Sequence, residues 1–139
     1  MAFDSSPLRV EVVSADGLIW EGDALSVIAR TTEGDIGILP HHEPLLAILV
    51  PSAVEVLSAD GVREIVAVEG GFLSVSANRV SVLSSYAKMA KEISLDEAEH
   101  ELAAARKALD SGDVSTATVQ HHHRAKAQVR AAEKAAGRH

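Results

Sequence analysis

The stretch Leu8-Arg9-Val10-Glu11-Val12, continued by Val13-Ser14-Ala15-Asp16-Gly17, sets apolar side chains against charged ones at every second position and then meets a turn dipeptide. Period two places Leu8, Val10 and Val12 on one face of an extended chain and Arg9 and Glu11 on the other, which predicts a half-buried strand. Short apolar runs recur at Leu25–Ala29, Ile36–Leu39, Leu45–Val50, Val54–Leu57, Ile65–Val68, Phe72–Val75 and Val80–Leu83. Asp60-Gly61 supplies a second hairpin signal, since tight hairpin turns favour residues that accept positive φ. The spacing predicts a β-sandwich or flattened barrel of about ten short antiparallel strands over residues 1–86.

After Tyr86 the pattern changes. Ser94-Leu95-Asp96-Glu97 has the form of a helix N-terminal capping box, and Leu95, Ala98, Leu102, Ala105 and Leu109 then recur at spacings of three and four. Asp110-Ser111-Gly112-Asp113 breaks that helix. The expectation is a helical hairpin over 87–139, with helices at about 94–110 and 114–136. The second helix has a thin stripe of Val114, Thr118, His121, Ala125, Gln128 or Val129, and Ala132. A contact face built largely of alanine buries little area at about 25 cal/mol per Å², so its docking is expected to be weak.

Charge is distributed unevenly. Residues 1–93 carry 13 acids against 6 bases, whereas residues 94–139 carry 7 of each. The acidic excess opposes binding to a phosphate backbone, which argues against nucleic acid as a partner. Within the hairpin the first helix holds Asp96, Glu97, Glu99, Glu101 and Asp110 against Arg106 and Lys107, and the second holds Arg124, Lys126, Arg130, Lys134 and Arg138 against Glu133. One helix is acidic and the other basic, a pattern that suits pairing of the two.

Aromatic residues are only 3% of the chain, so Val, Leu, Ile and Ala must fill the interior. Cysteine is absent, which removes disulfides and thiolate chemistry and fits a reducing compartment. The longest apolar run, Leu45 to Val50, is closed by Pro44 and Pro51 and falls far short of the roughly 20 residues of a membrane span. Met1 to Pro7 shows neither a basic nor an apolar leader region, so no export signal is expected.

Several motifs invite chemistry and have simpler readings. His121-His122-His123 resembles a metal tract, but consecutive helical residues point about 100° apart and do not converge on one ion, so a solvated patch is expected there. Ser84-Ser85-Tyr86 with Lys88 and Lys91 lacks the strained elbow of a Ser–Lys nucleophile and reads as a linker. Gly70-Gly71 precedes a strand rather than a helix, so it reads as a bend and not a phosphate cradle. Trp20 and Phe72 read as core or interface aromatics.

The most specific segment is Glu33-Gly34-Asp35-Ile36-Gly37-Ile38-Leu39-Pro40-His41-His42-Glu43-Pro44-Leu45, an exposed loop stiffened by Pro40 and Pro44. It resembles the hallmark of the ε-subunit family of ATP synthases, Gly-Glu-Leu-Gly-Ile-Leu-Pro-Gly-His-Ala-Pro-Leu, with matches at Gly34, Gly37, Ile38, Leu39, Pro40, His42, Pro44 and Leu45. Ala67-Val68-Glu69-Gly70-Gly71-Phe72-Leu73-Ser74-Val75, followed by Asn78, Val80, Val82 and Leu83, resembles the family's second hallmark. The resemblance runs from about Leu8 to Leu109. It departs at His41 and Glu43, where the family has Gly and Ala, and at Ser84 and Ser85, where an Ala-Asp or Ala-Glu pair is usual.

The resemblance implies a non-catalytic rotor subunit peripheral to the cytoplasmic face of a bacterial plasma membrane, with no cofactor and no metal. It implies a sandwich docked on the γ subunit, with Asp35, His41, His42 and Glu43 in a loop resting on the c-ring. It further implies a C-terminal hairpin that inhibits ATP hydrolysis, its bases Arg124, Lys126, Arg130 and Lys134 meeting acidic segments of the α/β catalytic head. Some members bind ATP through Ile-Asp-x-x-Arg-Ala; this chain reads Ile93-Ser94-Leu95-Asp96-Glu97-Ala98, and an acid in place of the arginine argues against that function. Two other classes compete: a free-standing β-sandwich binding module with a helical tail, and a His-rich metal hydrolase.

Overall fold

A computed structural model describes residues 5–137, so Arg138 and most of the Met1–Pro7 segment lie outside the described residues. Nine strands form the first part: β1 (Leu8–Ser14), β2 (Gly17–Thr31), β3 (Gly34–Ile38), β4 (Leu45–Leu49), β5 (Ser52–Ser58), β6 (Arg63–Val68), β7 (Gly71–Ser76), β8 (Arg79–Leu83) and β9 (Ala87–Met89). A single 3-10 turn, Ala90–Glu92, leads to α1 (Leu95–Asp110) and α2 (Thr116–Ala135). The expected sandwich followed by two helices is present. One neighbouring pair, β1 with β8, is parallel; the other pairings are antiparallel.

β2 is far longer than its apolar run of Leu25–Ala29. Its first half pairs with β1, and beyond a register shift between Ala24 and Ser26 the second half pairs with β5 on one side and β3 on the other. Such a bulge bends a strand, so one strand serves both layers of the sandwich. One layer holds β1, β8, β7 and β4; the other holds β3, β5, β6 and β9. Between them lies a dry core of Leu8, Val10, Val12, Val27, Ile38, Val54, Val56, Val66, Val68, Leu73, Val75, Val80 and Val82, each almost fully buried. Short β-branched side chains with few rotamers fill a two-layer interior with little lost entropy. Trp20 packs at the edge of this core.

The segment read as a linker is partly strand: β9 pairs Ala87 with Val68 and Met89 with Val66. Sheet pairing therefore continues past Tyr86. The sequence pattern missed it because a three-residue strand is too short to show a period.

The Ser94 cap is as its sequence suggests, and a second cap at Ser115 starts α2 two residues later than expected. Ser94 Oγ accepts from the Glu97 N–H at 3.3 Å, and Ser115 Oγ accepts from Thr118 N–H at 3.4 Å. Asp113 accepts from the Ser115 N–H and the Thr118 hydroxyl, and these bonds hold its carboxyl below the usual carboxylate range. α1 buries Ala98, Leu102 and Ala105 of the predicted stripe, and its ends Leu95 and Leu109 are half-buried. α2 differs: its buried residues are Ala125, Ala127, Ala131 and Ala132, and Val114 lies before the helix, 74% exposed. The reason is architectural. α2 is the middle layer, with α1 on one side and β5 and β6 on the other, so two narrow faces replace one stripe.

Gly70 and Gly71 make the predicted bend from β6 to β7 with φ of 140° and 108°. At Gly71 an added Cβ would stand 1.9 Å from the Leu83 carbonyl oxygen. We expect Gly71→Ala to cost at least about 3 kcal/mol in thermal or denaturant unfolding, whereas Gly37→Ala, where nothing stands within 4 Å, stays within about 1 kcal/mol.

Candidate functional site

Three features could do work: an open apolar face on the sandwich, the loop at its end, and the underside of the hairpin. The apolar face is made by outward side chains of β4, β7 and β8. Ile48 stands opposite Phe72, and Phe72 opposite Leu83, in one row across three strands; Leu46 lies two residues along β4. Their exposures are 71% for Leu46, 55% for Ile48, 50% for Phe72 and 47% for Leu83. A row of large apolar side chains in water is the mark of a surface meant to be covered. Phe72 is thus an interface-type aromatic rather than a core one.

Leu39, 64% exposed, leads from β3 into the loop Pro40-His41-His42-Glu43-Pro44, which enters β4 at Leu45, the end away from the Ile48, Phe72 and Leu83 row. His41 sits in the left-handed region, with φ 68°. His42 N–H donates to the Leu39 carbonyl at 3.2 Å, and its Nδ1 lies 2.6 Å from the Glu43 carbonyl oxygen, so the imidazole is tied to its own loop. Asp35, grouped with this loop from sequence, is in a strand at the other end of β3. The register pairs Asp35 with Arg30, and the guanidinium grips the carboxylate at 2.8 and 3.1 Å. The structure therefore brings His41, His42 and Glu43 together and separates Asp35 from them. The Arg30 hydrogen bond holds the Asp35 carboxyl below its ordinary range.

The hairpin corrects the charge reading. Arg124 and Lys134 of α2 do not reach across to acidic α1; they turn to the sandwich. Arg124 Nε lies 3.4 Å from Glu69 Oε2, and its guanidinium sits 5.1 Å from the Tyr86 ring centroid. Glu69 also accepts from the Ser85 hydroxyl at 2.6 Å, and Gln128 donates to the Tyr86 hydroxyl. At the far end of α2, Lys134 Nζ is 3.4 Å from Glu55, which also pairs with Arg63. Between these two polar ties lie Ala127 and Ala131, fully buried against Ala53, Ile65, Ala67, Ala90 and Ile93. Sequence reasoning missed Glu55, Glu69 and Tyr86 because their partners are 42 to 79 residues away.

Lys126 and Arg130 line a cavity of about 270 Å³ between β2, β3 and the hairpin, where the bases Arg30, Arg106 and Lys134 join them and the acids are Asp35 and Glu133. The cluster is net basic and would attract an anion. Glu97, at the position where the family pattern has arginine, is exposed in the first turn of α1 and does not line this cavity.

Of the histidine tract, His121 Nε2 meets Glu101 Oε2 at 2.6 Å across the hairpin. Burial, with Arg106 and the neighbouring cations behind it, lowers the pKa of His122 from its ordinary value. Among the described residues no three His, Asp or Glu side chains gather as metal ligands.

A family model described as ATP synthase, Delta/Epsilon chain, beta-sandwich domain matches residues 7–90. The ATP synthase epsilon chain of Cutibacterium acnes is 44% identical over 113 residues, which is 81% of this chain and 77% of that one. The chain belongs to the ATP synthase epsilon chain family. It is accordingly a non-catalytic subunit. The epsilon chain of Rhodococcus erythropolis is 42% identical over 129 residues and covers the hairpin as well, at 92% of this chain and 98% of that one. In solved structures the same fold occurs in a chain of the Euglena gracilis mitochondrial ATP synthase, with TM-score 0.75 and 23% identity over 97% of this chain and 84% of that one. It occurs again in a chain of the Tetrahymena thermophila central stalk/c-ring structure, with TM-score 0.57 and 17% identity over 96% of this chain and 98% of that one.

The two polar ties of α2 give a testable energetics. Arg124 is 43% exposed in its pair with Glu69, and a pair open to solvent on one side is worth about 1 kcal/mol or less and weakens with salt. Arg124→Ala should speed amide exchange in α2 by roughly fivefold at low salt, with the difference shrinking at high salt and the strands of the sandwich unaffected.

Proposed function

We propose that this epsilon chain is a rotor subunit of the central stalk of a bacterial ATP synthase, peripheral to the cytoplasmic face of the membrane. In that role the sandwich is clamped between the γ subunit and the c-ring. The open row of Leu46, Ile48, Phe72 and Leu83 carries this reading. It is a flat apolar surface on a rigid two-layer body, and a subunit that transmits torque needs such a body with one face for the shaft and one end for the ring. The His41-His42-Glu43 loop is the end assigned to the ring. No helix among the described residues is long and apolar enough to cross a membrane, which agrees with a peripheral place.

The hairpin is the regulatory element in this proposal. In the docked form Arg124 and Lys134 are occupied by Glu69 and Glu55 of the sandwich. Released, they and Lys126 and Arg130 become available to acidic segments of the α/β catalytic head. The same cations serve both states, so docking and inhibition compete, and their balance is a population shift between two arrangements. An interface of alanine methyls, with Arg124 partly open to solvent at one end, is weak enough for that competition.

Two measurements test the two halves. Ile48→Asp combined with Phe72→Asp places charges in the apolar row and should weaken capture of the γ subunit by roughly a hundredfold without unfolding the sandwich; undiminished capture would remove this face from the shaft contact. Deleting the residues after Ser111 should leave assembly intact and raise ATP hydrolysis by the synthase. Hydrolysis unchanged by the deletion would remove the inhibitory role.

A further inference from the structure

The turn between β7 and β8 has two central residues, Ala77 and Asn78, both with positive φ, at 51° and 63°. This is the mirror-image turn that two-residue hairpins require, and asparagine tolerates it better than other side-chain-bearing residues. The backbone alone therefore accounts for an asparagine here. It does not account for what the side chain does. Asn78 Oδ1 accepts the His41 N–H at 2.8 Å, 37 residues back in the chain. Its Nδ2 donates to the Pro7 carbonyl at 3.0 Å and to the Ser6 carbonyl at 3.4 Å, while its own carbonyl accepts the Arg9 N–H at 3.0 Å. One half-buried amide thus ties three pieces of chain at one end of the sandwich.

The residue it grips has a left-handed backbone. His41 has φ 68°, a region that residues with side chains seldom adopt although histidine enters it more readily than most, so the bonds around it select the conformation. Pro40 restricts the backbone immediately before it, and Pro44 closes the loop on the other side. Between these two stops, the Asn78 amide is a long-range bond to the loop backbone. We propose that Asn78 is a positioning residue: it holds His41 left-handed and so sets the direction in which the His42–Glu43 tip leaves the sandwich. This rests on the reading above that the tip bears on the c-ring. On that reading, Asn78 governs how firmly rotation is transmitted there without itself touching the ring.

Asn78→Gly keeps the left-handed backbone and removes the side-chain amide. Asn78→Asp keeps the shape and the acceptor but loses both donors. Ala77→Gly relaxes the same turn and leaves the amide in place. In the full chain, amide exchange at His41 and His42 should rise about tenfold in Asn78→Gly, the fold-change that the loss of one such hydrogen bond gives, and should stay near the parent value in Asn78→Asp and Ala77→Gly. Unchanged exchange in Asn78→Gly overturns the positioning role, whatever the loop contacts. If Asn78→Gly does not fold, the same measurement on Asn78→Asp decides it: protection at His41 and at Arg9, whose acceptors both survive the change, must stay near the parent value, and loss at His41 overturns the assignment of the acceptor.

In the assembled synthase, proton pumping per ATP hydrolysed should fall in Asn78→Gly and recover in Asn78→Asp. A loop that loosens in the isolated chain while coupling stays at the parent value sinks the ring contact and leaves Asn78 with a purely structural task.

Discussion

The sandwich depends on β2 serving two layers at once. A strand of fifteen residues that pairs with β1 before its bulge and with β3 and β5 after it makes the layers one covalent and hydrogen-bonded body. Two sheets merely stacked on a valine core can slide over one another, because dispersion contacts are individually weak and carry no direction. A shared strand with paired backbone bonds cannot. The almost water-free core between the layers then converts that constraint into stiffness, since interiors packed to native density deform little. Stiffness is what a part carrying torque between other parts has to supply.

The helices are attached by different physics. Burying a valine side chain is worth about 1.5–3 kcal/mol, while an alanine methyl contributes about 0.8 kcal/mol. The contact of α2 with the sheet is made of Ala127 and Ala131 against Ala53, Ile65 and Ala67, so it is thin by composition. Its specificity comes from the polar ties at its two ends, through Glu69 with Tyr86 and through Glu55. Weak apolar contact with directional ends sets one docked register and lets it be left at small cost. The proposed switch rests on this separation in strength, since it requires the hairpin to leave before any strand does.

The parts legible in the sequence are those that local physics determines. Alternation in Leu8–Val12 and the capping serine Ser94 place their elements because each signal lies within a few residues of its effect. What stayed hidden is pairwise and distant. The acidic and basic helices suggested pairing with each other, yet helix charge says nothing about which face a third element will cover; with α2 in the middle, its cations at either end fall within reach of the sheet. Asp35 looked like a loop residue because the glycines around it are turn-formers. The true turn is closed earlier, by Thr31 Oγ1 bonding to the Gly34 carbonyl, and this puts Asp35 directly across from Arg30. The hallmark histidine loop was visible as a pattern, but the amide that holds it came from a residue read only as part of a strand motif.

The two working faces are on opposite sides of the sandwich, and their connection is short. Ile65 and Ala67 of β6 point outward to α2, while Phe72 of β7 points outward on the other layer; the chain crosses from one to the other through Glu69, Gly70 and Gly71. Glu69 holds Arg124, and three residues on, Phe72 stands in the open apolar row. A partner covering that row need not displace the hairpin, because the full thickness of the core separates them. The turn itself has no slack. Gly71 lies against the Leu83 carbonyl so closely that no side chain fits, and that contact fixes the crossing whichever face is occupied. The same close approach that makes this glycine irreplaceable therefore keeps Glu69 in register with the open apolar row, so the sandwich presents both surfaces as one unit.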